Sequence, residues 1–166
     1  GFSWVVFEWM FKGKPSLLGI CSGAVAGLVA VTPASGFAGP MGALVLGLIV
    51  SPICLFFVST VKNALGYDDA LDVFGVHCIG GIVGAVLTGV FAVKGYGVGG
   101  NGGLLEGNAV QLVVQLKAVA YTIISSGVVS FVLLKMVDAV VGLRPPDHND
   151  PPTLHLPDHA ATTYPS

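Results

Sequence analysis

Charge is what this 166-residue chain has least of: Asp, Glu, Lys and Arg make up only 10 % of it. A soluble domain of this length usually carries about twice that share. Between Lys14 and Lys62 lie 47 consecutive residues with none of the four. With 54 % hydrophobic residues, 24 glycines and a mean hydropathy of +0.85, the chain reads as an integral membrane protein. The net charge of −2 points to no partner class, and the absence of any basic cluster argues against nucleic acid. Cysteine is equally sparse. Cys21, Cys54 and Cys78 are odd in number and sit in apolar runs, which argues against a disulfide framework and a Cys-x-x-Cys metal site. Nor does Gly1 to Phe11 read as a signal peptide, having neither a charged leader nor a small-residue cleavage site. Those residues read as the tail end of a longer apolar helix, and with no initiator Met the expectation is the C-terminal portion of a longer protein.

What is present is a series of apolar spans. The pattern predicts an all-α, polytopic transmembrane helical bundle with four full spans plus the end of a fifth. The truncated span is 1–11, and the full ones are 16–36, 40–61, 69–93 and 109–142. Ser16 after Pro15 is a start signal for the first full span. Three residues separate the first two full spans, so they should form an antiparallel hairpin. The last covers about 34 residues, or ~50 Å of helix, and must tilt or protrude. The transmembrane domain is thus 1–144, and 145–166 is a Pro-rich tail with prolines at 145, 146, 151, 152, 157 and 165. Alternating spans place Lys12, Lys14, Lys62, Lys135 and Arg144 at one surface and Lys94 and Lys117 toward the other. The excess of cations predicts a cytoplasmic C-terminus in a cell (inner) membrane, multi-pass protein.

Small residues recur at helical spacing. Gly19, Gly23 and Gly27 line the first full span; Gly80, Gly81 and Gly84 line the third. Such stripes let helix backbones approach closely in lipid. Thr32-Pro33 and Ser51-Pro52 should interrupt the first and second spans. Thr32 can offer a hydroxyl to a cavity or bond back to its own helix.

His77 is the most unusual residue, an ionisable side chain inside an apolar span. Counted from Asp69 as the membrane edge it lies about 12 Å deep, near mid-membrane. Helical spacing puts Val73, Gly80, Gly81, Gly84 and Thr88 on its face. Three roles fit: packing, a metal or haem ligand, or the wall of a conduction path. The other histidines, His148, His155 and His159, are all in the tail, which disfavours the metal. In a low-dielectric setting a neutral imidazole donates from one nitrogen and accepts at the other, which suits a small polar solute. Asp72 reads as a structural carboxylate near a helix start, where it can cap free N–H groups.

The run Tyr67-Asp68-Asp69-Ala70-Leu71-Asp72-Val73-Phe74-Gly75-Val76-His77, followed by Gly80-Gly81-Ile82-Val83-Gly84, resembles the signature of the ammonium transporter (Amt/Mep) family. Pro15-Ser16-Leu17-Leu18-Gly19, Cys21-Ser22-Gly23-Ala24, Val31-Thr32-Pro33-Ala34-Ser35-Gly36 and Gly142-Leu143-Arg144 extend the likeness. The resemblance implies an eleven-helix ammonium-transporter fold, a homotrimer with one pore per protomer, no enzymatic activity and no cofactor. Ammonium would be recruited, deprotonated and conducted as ammonia past a twin-histidine pair. His77 would be the second histidine of that pair, Val73 an apolar pore-wall residue and Thr32 a candidate pore hydroxyl. A related Rh-type gas channel, or an ammonium sensor signalling through its tail, are the alternatives. Two departures stand out. Cys78 replaces the usual glycine after the histidine. In the tail, Thr153-Leu154-His155, His159-Ala160-Ala161 and Thr163-Tyr164 stand where the family has a glycine- and acid-containing docking pattern. A PII-type signalling protein is therefore only a weak expectation as a partner.

Overall fold

A computed structural model describes residues 1–96 and 101–142. The tail from Leu143 onward, including Arg144 and its histidines, lies outside the described residues, as does the middle of the Gly/Asn-rich loop. The chain divides into two compact units, Gly1–Tyr121 and Thr122–Ser166.

In the first unit, α1 (Phe2–Lys12) ends where Gly13 turns left-handed at φ 74°. Helix α2 (Leu17–Val31) starts on Ser16, whose hydroxyl oxygen accepts the Gly19 N–H at 2.9 Å. That hydroxyl also donates to the Glu8 carboxylate at 3.0 Å, and the Ser16 N–H reaches the same carboxylate at 3.2 Å. Glu8 is only 2 % exposed and has Lys12 Nζ 3.5 Å away. A buried carboxylate persists only when so partnered, and this one ties α1 to the start of α2.

The expected first full span is shortened. Helix α2 stops at Val31, and residues 32–37 form successive tight turns, with Ala34 N–H on Val31 O, Ser35 N–H on Thr32 O and Phe37 N–H on Ala34 O. Pro33 supplies no N–H and ends the ladder there. At 15 residues α2 is shorter than the about 20 that span a bilayer. Among the described residues three helices are long and apolar enough to cross a membrane: Pro40–Leu65, Phe74–Phe91 and Ala109–Val140.

The second proline behaves differently. Helix α3 (Pro40–Phe56) runs through Pro52 unbroken, widens into a π-helical segment, Phe57–Val61, and closes with α4 (Lys62–Leu65). The expected interruption at Ser51-Pro52 does not occur. Proline at 52 leaves the carbonyl four residues back without its partner, and that carbonyl, Leu48 O, accepts a hydrogen bond from Ser3 Oγ of α1 at 2.9 Å. The neighbouring helix thus repairs the gap.

The third span begins later than expected. Residues 66–72 are not helical, a second π-helical segment occupies Phe74–Cys78, and α5 (Ile79–Phe91) follows. Helices α2, α3 and α5 surround a core of Ala26, Ala30, Ala34, Leu46, Val50, Cys54, Leu55 and Val76, with Trp4 of α1 against it. Gly84 touches the Ala30 backbone so closely that a Cβ there would collide with it. At the far end of α5, Ala92 pairs with Ala38, Val93 N–H reaches Phe37 O at 2.8 Å, and Gly103 N–H reaches Ala92 O at 2.7 Å. Glu106, the last residue of a short 3-10 turn (Leu104–Glu106), accepts the Lys94 N–H at 2.7 Å. The loop therefore folds back on the helix end.

Helix α6 (Ala109–Val140) is 32 residues long, about 48 Å, close to its expected length. Its first turns pack on α5, where Gly89 makes room for Leu112 and Gln115. From Thr122 the helix continues with Ile123, Ile124, Val128 and Phe131 all exposed, and ends at Gly142, φ 80°. An apolar surface of that kind suits hydrocarbon or a protein neighbour.

Candidate functional site

The site forms where two wide helical turns lie side by side. In each, an N–H reaches five residues back: Lys62 N–H to Phe57 O, and Ile79 N–H to Phe74 O. Such π turns are rare and concentrate at functional sites. They meet at Gly75, where a Cβ would lie 2.6 Å from Val58 Cγ2. Phe74 stands between Phe57 and Tyr67, with ring centroids 6.4 and 5.5 Å away.

The start of the second π turn is tied down by charge. Asp69 accepts the Val73 N–H at 2.8 Å on one carboxylate oxygen and the Phe74 N–H at 2.9 Å on the other. It is therefore Asp69, not Asp72, that caps this helix. Asp72 instead adopts the left-handed conformation at φ 54° and pairs with Lys62 Nζ at 2.7 Å. The Asp72 carboxylate is engaged by Lys62, and the cap is made by Asp69. Lys62 also donates to the Asp69 main-chain oxygen.

His77 lies in this π turn and is exposed, as is Val73 at 51 %, while Gly75 and Val76 between them are buried. The glycines that follow differ in their surroundings. Gly80 is buried against Val29 and Cys54, and Gly84 against Ala30, so both serve the contact with α2 and α3. Gly81 alone of the three has open space where a side chain would project. His77 and Val73 thus share an exposed surface with Gly81, and Gly80 and Gly84 serve the packed side.

Gly80 abuts Ala26 and Gly84 abuts Ala30, while Thr32 lies just past the end of α2. Its hydroxyl donates to Leu28 O of its own helix at 2.7 Å. Cys78 is exposed and free. Among the described residues no group of three or more His, Cys, Asp or Glu side chains could hold a metal ion.

Sequence reasoning missed Lys62, Asp69 and Glu8 as partners of the helix starts. For Lys62 a signal existed, since it falls at the same predicted surface as Asp69 and Asp72, ten residues before Asp72. For Glu8 there was none, because Ser16 binds it only through the turn between α1 and α2.

Comparison with known proteins places this geometry. The model of the Ammonium Transporter Family matches residues 1–164. The ammonium transporter of Aquifex aeolicus is 52 % identical over 86 % of this chain and 33 % of its own length. Ammonium transporter Amt1 of Archaeoglobus fulgidus is 43 % identical over 99 % of this chain and 41 % of its own. The crystal structure of Saccharomyces cerevisiae Mep2 superposes with a TM-score of 0.77 at 31 % identity, covering 84 % of this chain and 32 % of that one. The chain spans between a third and about two-fifths of the length of these relatives. The family is one of membrane transporters rather than enzymes, and its solved members share the helical architecture found here. On a match that runs almost end to end, this chain belongs to the ammonium transporter family.

Proposed function

We propose that this chain supplies the second half of a pore that conducts ammonium as ammonia across a cell membrane. The observation that carries the reading is His77: an ionisable side chain exposed beside Val73 on a span that otherwise offers hydrocarbon. Bare ammonium meets a prohibitive desolvation cost in such surroundings. An ammonia molecule needs only a hydrogen-bond donor and acceptor, which one imidazole supplies. The substrate is therefore deprotonated before it reaches His77 and passes as the neutral species. A second histidine, from another part of the longer protein, completes a twin-histidine pair.

The resemblance to the family implies a homotrimer in a lipid bilayer, and the exposed apolar length of α6 offers surface for hydrocarbon or a neighbouring subunit. The cation distribution favours a cytoplasmic C-terminus. A PII-type partner at the tail stays a minor part of the reading. The test is His77→Ala in the full-length protein. Ammonium conduction or selectivity should change sharply while trimers still form by size-exclusion chromatography; unchanged uptake with unchanged selectivity overturns the pore assignment.

A further inference from the structure

We propose that the Lys62–Asp72 ion pair, together with Asp69, is a positioning device: it sets the register of the wide turn that carries His77, and so places the imidazole in the conduction path. The inference rests on the pore reading above. Its starting point is Asp72, the sole non-glycine residue with positive φ among the described residues. A left-handed backbone costs a non-glycine residue energy and survives where the surroundings over-determine it. Here they do. Lys62 Nζ holds the Asp72 carboxylate at 2.7 Å and the Asp69 main-chain oxygen at the same time.

From those two aspartates the first-turn N–H groups of the His77 segment take their bearing. Asp69 receives the N–H groups of Val73 and Phe74, and Asp72 O receives that of Val76 at 2.9 Å. His77 is the next residue. On the other side, the Lys62 N–H closes the first π turn on Phe57 O. One lysine thus ends the first wide turn and anchors the start of the second, and the two turns touch at Gly75 and Val58.

A cap alone would need neither the lysine nor the left-handed backbone, since Asp69 already provides it. The pair is part-buried, its side chains keeping 26 % and 18 % of their exposure, and it adds directional bonds to a cap that Asp69 completes by itself. What the pair does supply is geometry, because it fixes where the π turn begins relative to the neighbouring helix.

The experiment uses the full-length protein in proteoliposomes. Lys62→Met and Asp72→Asn should each lower the maximal ammonium flux by roughly ten-fold, since small misplacements of a working group cost that much or more. Half-saturation and melting temperature should stay near wild type, and Lys62→Arg, which keeps the charge and the donor, should recover most of the flux. Asparagine tolerates the left-handed backbone, so the Asp72 variant tests the pair even where Lys62→Met fails to fold. The histidine side-chain NMR signal that disappears in His77→Ala should move in Lys62→Met and stay in place in Lys62→Arg. Wild-type flux in both Lys62→Met and Asp72→Asn, or an unmoved His77 signal, overturns the inference. His77→Ala, run in parallel, separates the two claims: if it conducts as wild type the pore reading fails; if it does not, but the Lys62 and Asp72 variants conduct normally, only the positioning role fails.

Discussion

The two halves of the third span are held in different ways. Its far half, from Gly80 to Gly89, is held by packing: Gly80, Gly84, Thr88 and Gly89 are buried, and Thr88 spends its hydroxyl on Gly84 O at 2.8 Å. Its near half, from Val73 to Cys78, leaves Val73, His77 and Cys78 exposed and adds to the packing of Gly75 and Val76 an anchorage by carboxylates, a lysine and one left-handed residue. The lesson is a division of labour. A helix that must keep one face open cannot bury all its sides, so its partly exposed end is anchored by directional bonds in addition to contact area. Packed residues should therefore govern stability, and anchored ones should govern function.

The strongest challenge to this division is Gly84→Leu. The side chain would collide with the Ala30 backbone, and overpacking against main chain should cost about 3 kcal/mol or more. Poor yield and a large drop in melting temperature are expected; a stable variant would mean the far half is not set by packing. Next is Gly75→Val, at the contact between the two wide turns. The added atoms meet Val58 Cγ2 at 2.6 Å, a side chain that can yield, so about 2 kcal/mol is expected. A compensating Val58→Ala should restore much of it, and failure to do so would move the clash elsewhere. Asp69→Ala, which strips the cap from Val73 and Phe74, should cost about 1 kcal/mol, read as a modest shift in melting temperature. The smallest effect belongs to Ser3→Ala. It uncovers the Leu48 carbonyl left without a partner by Pro52, a loss of about 1 kcal/mol or less. Hydrogen exchange at the residues around Leu48 should rise while flux stays unchanged, because this bond joins α1 to α3 and involves neither wide turn.

The helical membrane class and the hairpin between α2 and α3 were legible in the residues. A membrane imposes the strongest patterning any solvent can, and a 47-residue stretch without charge leaves little choice of class. Ser16 as a cap was legible too, because capping is a local interaction. The two hydroxyl–proline pairs were not. Thr32-Pro33 ends its helix and Ser51-Pro52 does not, although both read alike. Part of the reason is Ser3, 45 residues from Leu48 in sequence, and no local rule contains that distance. Spacing alone also does not say which small residues near His77 pack: Gly80 and Gly84 meet α2, whereas Gly81 has open space.

The order of residues was thus enough to establish the class, the run of apolar segments and the chemistry available: one imidazole in a span, three aspartates before it and a lysine at the same surface. Folding had to choose which carboxylate caps and which pairs, where the helix starts, and which side of it stays open. Composition and periodicity act between neighbours along the chain, whereas the positions of Lys62, Asp72 and Val58 relative to His77 depend on two helices meeting side on. That meeting is set by backbone widening and close contact at Gly75, which no pattern of residue types encodes.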